Sequence, residues 1–263
     1  MQQNSDQIKQ QEEQDLPQFE KISKRKESLE INRILVGVSG GSASGKTTIC
    51  QNIKKEMSFN GDIDVLIISL DCFYKPLGHD VDSANYDFDS PNALDFELAY
   101  LVLQDLLEGK PTRIPRYNFV THSREEEQDL VQPTDIILFE GILALYDEKI
   151  RNLMAYQIFM HTDDDIRLCR RLLRDVNERG RSVEGILYQY NRFVKNSYDI
   201  YIKPTMNYAD IIVPGRDKNH VSVQFIVDYL KTKAIQMGIF RKVVQRDIVY
   251  IGDLIDVAQI ERQ

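Results

Sequence analysis

The sequence Ile-Leu-Val-Gly-Val-Ser-Gly-Gly-Ser-Ala-Ser-Gly-Lys-Thr-Thr at residues 34–48 constrains this chain more than any other stretch. Gly40, four intervening residues and Gly45-Lys46-Thr47 match the phosphate-binding loop pattern. The apolar run before the loop reads as a buried strand, and a helical pattern follows it. A glycine loop passing from strand to helix turns successive backbone N–H groups toward phosphate oxygens at the positive end of the helix. Lys46 then reaches the β- and γ-phosphates, and Thr47 offers a hydroxyl to Mg²⁺. Gly40, Gly41 and Gly45 let the backbone approach the anion, with Ser42, Ala43, Ser44 and Thr48 completing the cradle. A chance Gly/Ser turn would not explain the strand before it and the helix after it, so the loop predicts bound ATP or GTP.

Residues 49–57 place Ile49, Ile53 and Met57 on one face of the helix after the loop. Residues 65–70 form a second apolar strand, ended by Asp71-Cys72-Phe73-Tyr74. In an open α/β sheet ligands collect beyond the carboxyl ends of the strands, so Asp71 is expected to face the crevice of the phosphate loop. Its bland alternative is a carboxylate capping nearby backbone N–H groups. The polar stretch 75–91 is long for a connection inside a compact domain, which makes Asp89 a candidate ligand contact. Residues 95–107 have helical spacing, with Asp95 near the start and Gly109 just past the end. Residues 112–119 and 129–131 are expected to form two short strands of a projecting hairpin, joined by the charged stretch 122–128.

Residues 135–141 are a third buried strand ending in Glu140, and phosphate-loop enzymes place an acid at such a strand end to hold Mg²⁺ or its water. A strand at 158–160 precedes a stretch dense in arginine: Arg167, Arg170, Arg171, Arg174, Arg179 and Arg181. The first four share one side of a helix, while Leu168, Leu172 and Leu173 are placed to pack inward. One reading is an exposed helix whose arginines pair with Asp163, Asp164, Asp165 and Asp175. The other is a phosphate-clamping lid, favoured because clustered guanidiniums repel one another unless an anion sits between them. Residues 183–202 are helical with aromatics expected mostly in the core; 210–214 is a last strand and 221–230 the helix after it.

Composition narrows the rest. A chain of 263 residues can bury one substantial core, since a parallel sheet covered on both faces uses roughly 200 residues. The net charge of -8 argues against an extended nucleic-acid surface. Cys50, Cys72 and Cys169 lie far apart, suggesting neither a disulfide framework nor a zinc site. There is no signal-peptide core and no apolar run long enough to span a bilayer, so the expectation is a cytoplasmic protein without membrane or nucleic-acid partners. The Gln/Glu/Lys-rich residues 1–31 read as a disordered tail, residues 32–237 as one catalytic domain, and the tail from 238 has no assignable period.

These residues resemble the uridine–cytidine kinases, phosphate-loop kinases related to phosphoribulokinase and bacterial-type pantothenate kinase. The resemblance runs from about residue 35 to 230. It rests on the loop at 37–48, Ser-Leu-Asp-Cys-Phe-Tyr at 69–74, Asp-Phe-Asp-Ser-Pro-Asn-Ala-Leu-Asp at 87–95 and Ile-Pro-Arg-Tyr-Asn-Phe at 114–119. Thr-His-Ser-Arg at 121–124, Leu-Phe-Glu-Gly-Ile-Leu-Ala at 138–144, Arg-Arg-Leu-Leu-Arg-Asp at 170–175 and Glu-Arg-Gly-Arg at 178–181 extend it. It implies an α/β fold: a doubly wound parallel sheet of the P-loop NTPase type, helices on both faces, a projecting β-hairpin and an Arg-rich lid.

The resemblance further implies Asp71 as general base for the nucleoside 5′-hydroxyl, Lys46, Arg174 and Arg179 in phosphoryl transfer, and Thr47, Glu140 and Asp71 around Mg²⁺. Asp89 would accept ribose hydroxyls, Tyr117 and His122 would contact the base edge, and Phe119 and Ile142 would line the pocket. Arg171, Arg181 and Gln189 would also meet the nucleoside. A homo-oligomer, commonly a tetramer, and feedback from UTP or CTP are implied as well. Two positions depart from the family pattern: Asn118 stands where Asp is common after the hairpin tyrosine, and Lys218, beside Asp217, stands where an acid is placed near adenine. The reading is therefore an ATP- and Mg²⁺-dependent kinase making UMP and CMP from uridine and cytidine. The alternatives are a kinase of another small alcohol, such as pantothenate or a sugar phosphate, and a non-catalytic nucleotide-binding module.

Overall fold

The computed structural model describes residues 33–58, 63–78, 80–216 and 219–239. The expectations for the tails at 1–31 and from 240 onward, and for Asp217 and Lys218, lie outside the described residues.

Each apolar run identified in the sequence becomes a strand of one parallel sheet. These are β1 (Ile34–Gly40), β2 (Val65–Ser69), β5 (Ile136–Glu140), β6 (Tyr156–His161) and β7 (Ile211–Pro214), in the order β2-β5-β1-β6-β7. The pairings β1 to β5, β1 to β6, β2 to β5 and β6 to β7 are all parallel. Near-continuous apolar strands are what a sheet covered on both faces requires. Against one face, Ile34, Val36 and Val38 pack with Ile49, Ile53 and Met57 of α1 (Lys46–Ser58) and with Val223, Ile226, Val227 and Leu230 of α6 (His220–Gln236). The intervening residues Leu35, Ile137, Phe139 and Phe159 are also fully buried. Every side chain from Ile136 to Phe139 is therefore withdrawn from water, each contributing about 1.5–3 kcal/mol of transfer free energy.

Two connections differ from expectation in ways that shape the site. The strand at residues 65–70 stops at Ser69, because Leu70–Phe73 winds into a single 3₁₀ turn capped by Ser69, whose hydroxyl accepts from the Asp71 N–H. The hairpin is also larger than the spacing suggested. Its strands are β3 (Thr112–Asn118) and β4 (Ser123–Val131), so the charged stretch at 123–128 is itself strand and the reversal is confined to residues 119–122. No apolar alternation marks β4 because its residues 125–130 are exposed. Arg116 instead bridges across the ladder to Glu127 (3.0 Å) and Asp129 (2.5 Å).

Arg124 fastens the hairpin to the main body. Its guanidinium donates to the Tyr74 carbonyl (3.0 Å), the Phe73 carbonyl (3.3 Å) and Asp95 (3.1 Å), while the other Asp95 oxygen caps α2 (Phe96–Leu107) at the Leu98 N–H. A short helix not anticipated from sequence, α3 (Glu148–Leu153), follows β5 and is capped by Asp147. Past β6 the chain enters α4 (Asp164–Arg179) and α5 (Val183–Gln189), and continues through two π-helical turns, Tyr190–Val194 and Tyr198–Ile202. The helix at 221–230 was placed correctly but is longer, His220–Gln236.

Helix α4 corrects the expectation most sharply. Leu173 is 66% exposed, whereas the buried residues of the helix are Arg167, Arg171 and Asp175, spaced i, i+4, i+8. The face turned inward is the charged one. It is not packing against the hydrophobic core but lying against the phosphate loop and the cavity beside it.

Candidate active site

The phosphate loop is held open by its backbone. Gly40 and Gly45 have φ of 148° and 97°, and Ala43 adopts φ 61°. A Cβ on Gly40 would stand 2.5 Å from the Met160 carbonyl oxygen, so only glycine leaves β1 and β6 this close. The loop is braced from below: Thr162 donates its hydroxyl to the Ser44 carbonyl at 3.1 Å, and Arg167 lies over the Tyr198 ring at 3.7 Å while bonding to the Thr162 carbonyl and to Asp164. Lys46 is buried and folds its ammonium back onto the Gly41 carbonyl at 3.0 Å. Thr47, the next residue, donates to Glu140 at 2.9 Å, which joins the first turn of α1 to the end of β5.

Three charged groups meet at this junction. Burial pushes the Glu140 carboxyl up, Lys46 opposes that shift, and Asp71 adds to it. Asp71 is likewise raised by burial and drawn back by Lys46, Arg179 and Arg174. Burial lowers Lys46, with Glu140 and Asp71 favouring its charged form. A low-dielectric pocket holding two carboxylates, an ammonium and converging guanidiniums is built to accept further charge of both signs.

Beside the loop opens a cavity of about 360 Å³. Of the residues singled out from sequence, Ser42, Ala43, Lys46, Thr47, Asp71, Asp89, Phe119, His122, Glu140, Ile142, Arg171, Arg174, Arg179, Arg181 and Gln189 all line it. Gly40, Gly41, Ser44, Gly45 and Thr48 belong to the loop and first helical turn but not to the lining. Tyr117 also stands off the lining, behind Tyr74 and Phe119, with ring centroids 5.2 Å from each.

Polar atoms without hydrogen bonds are gathered at this cavity. Asp89 Oδ2 and His122 Nδ1 on the lining, and Tyr117 Oη behind it, are each buried and make none; Arg171 Nε makes none either but faces Asp175 at 3.6 Å. Buried polar groups are normally satisfied, so several orphans around one cavity mark a place where a polar molecule completes them. Asp89 is fixed for that purpose: its N–H donates to Asp87 Oδ1 (3.0 Å), and Asp87 Oδ2 accepts from Ser197 (2.6 Å). Burial raises the Asp89 carboxyl while Arg171 pulls it back. His122 occupies a left-handed conformation at φ 51° and stacks on Phe88 with centroids 4.7 Å apart. Burial lowers its pKa, and Arg181 lowers it further. Gln189 donates to the Ser83 carbonyl at 3.3 Å, tying α5 to the long loop.

Sequence reasoning missed several lining residues: Tyr74, Tyr86, Phe88, Glu178, Phe193 and Val194. Tyr74 was legible as part of the motif after β2, and its burial amid Phe88, Tyr117 and Phe119 makes it the centre of an aromatic wall. Phe193 was expected in the core with its neighbours; a π-helical turn shifts its phase so that it reaches the cavity, while Tyr190 and Tyr198 are buried and Tyr188 is 49% exposed. The arginines do not act as one stripe. Arg167 supports the loop, Arg170 donates to the Gly215 carbonyl at 2.9 Å, and Arg171 and Arg174 enter the cavity, Arg174 reaching Ser42 at 3.3 Å.

A parallel sheet feeding a glycine loop into a helix, with an acid at the neighbouring strand end, defines the phosphate-loop NTPase fold. The family profile described as "Phosphoribulokinase / Uridine kinase family" matches residues 35–222. The chain belongs to that family. It is 47% identical over 207 residues to uridine-cytidine kinase A of Dictyostelium discoideum, covering 79% of this chain and 41% of that protein. It is 46% identical over 210 residues to uridine-cytidine kinase B of the same organism, covering 79% and 85%. Among solved structures, phosphoribulokinase from Rhodobacter spheroides superposes with a TM-score of 0.54 at 16% identity over 70% of each chain, a likeness of fold.

Proposed function

We propose that this protein phosphorylates the 5′-hydroxyl of uridine and cytidine with ATP, yielding UMP and CMP. The observation that carries the reading is the pair of buried polar atoms without a hydrogen bond, Asp89 Oδ2 and His122 Nδ1, beside an aromatic wall of Tyr74, Phe88 and Phe119 in the cavity that also holds Lys46 and Asp71. A ribose with vicinal hydroxyls and a flat base with donors and acceptors on its edge satisfies such a set; the relatives named uridine-cytidine kinase support that choice.

In this reading Asp71 accepts the proton of the attacking hydroxyl, and a carboxyl raised by burial is a better base than an exposed one. Lys46 with Arg174 and Arg179 stabilises the negative charge spread over the phosphoryl oxygens as it moves. Asp89 takes the ribose hydroxyls, His122 and Tyr117 the base edge, and Phe119, Ile142 and Gln189 flank it, with Arg171 and Arg181 on the acceptor side. The loop residues 40–48 hold the triphosphate of ATP or, as the alternative donor, of GTP.

Mg²⁺ fits the donors present. Thr47 donates to Glu140, and the Asp71 carboxyl acts on the same Glu140. A hydroxyl with one or two carboxylates suits Mg²⁺, which is carried largely by substrate phosphates and water. When bound it supplies neutralisation of the phosphate charge. No described helix is long and apolar enough to cross a membrane. A cytoplasmic location is proposed, and a homotetramer by family resemblance.

The deciding experiment is a nucleoside panel, with pantothenate and sugar phosphates as controls, assayed with ATP and with GTP in Mg²⁺. Turnover of uridine and cytidine is expected; ATP binding without turnover of either would sink the proposal.

A further inference from the structure

Asp175 has no assigned part in the chemistry, yet it is the most deeply placed charge of α4, with no exposed surface. Its two oxygens divide four guanidiniums between them. Oδ1 faces Arg174 Nε at 2.9 Å and Arg179 Nη1 at 3.6 Å. Oδ2 faces Arg171 Nε at 3.6 Å and Arg181 Nη1 at 3.5 Å. The main chain of the same residue sets the end of the helix: its carbonyl accepts the N–H of Gly180 and that of Arg181, the latter at 3.0 Å, as the chain turns through Gly180 at φ 62°.

The four also differ in what they meet in the cavity, with Arg179 reaching toward both sides, since it lies over the Phe119 ring at 5.5 Å. Arg174 touches Ser42 of the phosphate loop, and Arg174 and Arg179 both bear on Asp71. Arg171 bears instead on Asp89, and Arg181 on His122. Four like charges this close repel, and burial with Arg174 lowers Arg179 while Asp175 works in the opposite sense. A single buried carboxylate therefore stands within 3.6 Å of all four guanidiniums.

We infer that Asp175 is a positioning residue that locks the phosphate-side pair, Arg174 and Arg179, to the acceptor-side pair, Arg171 and Arg181, so that the phosphoryl group and the hydroxyl receiving it are presented in one geometry. The inference rests on the proposed kinase reading for its substrates, but not for the ion-pair hub itself. Asp175→Asn keeps the shape and removes the charge. The cluster then becomes more positive, so attraction for ATP is not lost, while the orientation of the guanidiniums is.

The test uses the full chain, with unfolding midpoint, kcat, and KM for uridine and for Mg-ATP measured in wild type, Asp175→Asn and Asp175→Glu. In Asp175→Asn, kcat is expected to fall at least 30-fold and the KM for uridine to rise several-fold, with the KM for ATP not raised. Asp175→Glu is expected to recover at least a third of the wild-type kcat. A second readout needs no substrate: in the ligand-free protein, trypsin is expected to cut after Arg179 and Arg181 at least fivefold faster in Asp175→Asn, with cleavage elsewhere unchanged. A kcat within threefold of wild type, or a loss matched by general unfolding and equal in both variants, overturns the proposal. If wild type turns over no uridine, the substrate reading fails alone, and unchanged cleavage after Arg179 and Arg181 then overturns the hub.

Discussion

Removing the Asp89 carboxylate is the most direct test of the acceptor end. Its Oδ2 is buried and unpaired, and the residue is only 8% exposed, so a hydroxyl that donates to it makes a charge-assisted bond shielded from water. Such a bond contributes about 1.5–3 kcal/mol. At 1.36 kcal/mol per factor of ten, Asp89→Ala is expected to lower kcat/KM for uridine by about 10- to 150-fold. Asp89→Asn keeps a neutral acceptor and is expected to lose roughly 5- to 15-fold, the difference between a charged and a neutral bond. The assay is ADP release with uridine and with 2′,3′-dideoxyuridine as paired substrates. Wild type should discriminate against the dideoxy compound by about the same 10- to 150-fold, and the ratio should collapse toward one in Asp89→Ala. A variant that is weaker on both substrates but keeps the wild-type ratio would refute the idea that Asp89 reads ribose. Stability should not suffer, because the buried Oδ2 gains no hydrogen bond on folding.

Asp71→Asn should lower kcat by about 10²–10⁴-fold with little change in the KM for uridine, measured by initial rates over both substrates. Because burial raises the Asp71 carboxyl, with Lys46, Arg179 and Arg174 opposing, its base form is lost at a higher pH than that of an exposed aspartate as pH falls; the acid limb of kcat against pH should be shifted upward accordingly in wild type and vanish in Asp71→Asn. His122→Ala should raise the KM for uridine about tenfold or broaden the bases accepted while kcat changes little. Tyr117→Phe removes a buried hydroxyl that has no partner, so the unfolding midpoint of the free protein should hold or rise while uridine affinity falls, as thermal melts with and without uridine would show.

How far the sequence could be read follows from which forces are local. Strands β1, β2, β5, β6 and β7 were visible because a sheet covered on both faces demands uninterrupted apolar runs, and the loop at residues 40–47 because its backbone demands glycine. Glu140 was found by its place at a strand end. Strand β4 was misjudged since its exposed acidic residues are stabilised across the ladder by Arg116, a contact that no period encodes. The inward turn of Arg167, Arg171 and Asp175 was equally hidden: helical spacing identifies a face, but only the tertiary packing reveals that a charged face lies beneath and a leucine outside. Tyr74 and Phe193 gave residue type without direction. Their roles appear only when the turn after β2 and the π-helical turn aim them at one cavity.

The hairpin forms its own two-stranded ladder and shares no strand pairing with the main sheet, yet Arg124 moors it to the carbonyls of Phe73 and Tyr74, just beyond Asp71. Three of the side chains proposed to meet the nucleoside, Tyr117, Phe119 and His122, thus ride on an appendage, while Asp89, Arg171 and Gln189 stay with the main body. Substitution in β3, β4 and their reversal would re-face one wall of the cavity without touching the strands that carry the phosphate loop, provided the arginine mooring at the base of the appendage is kept.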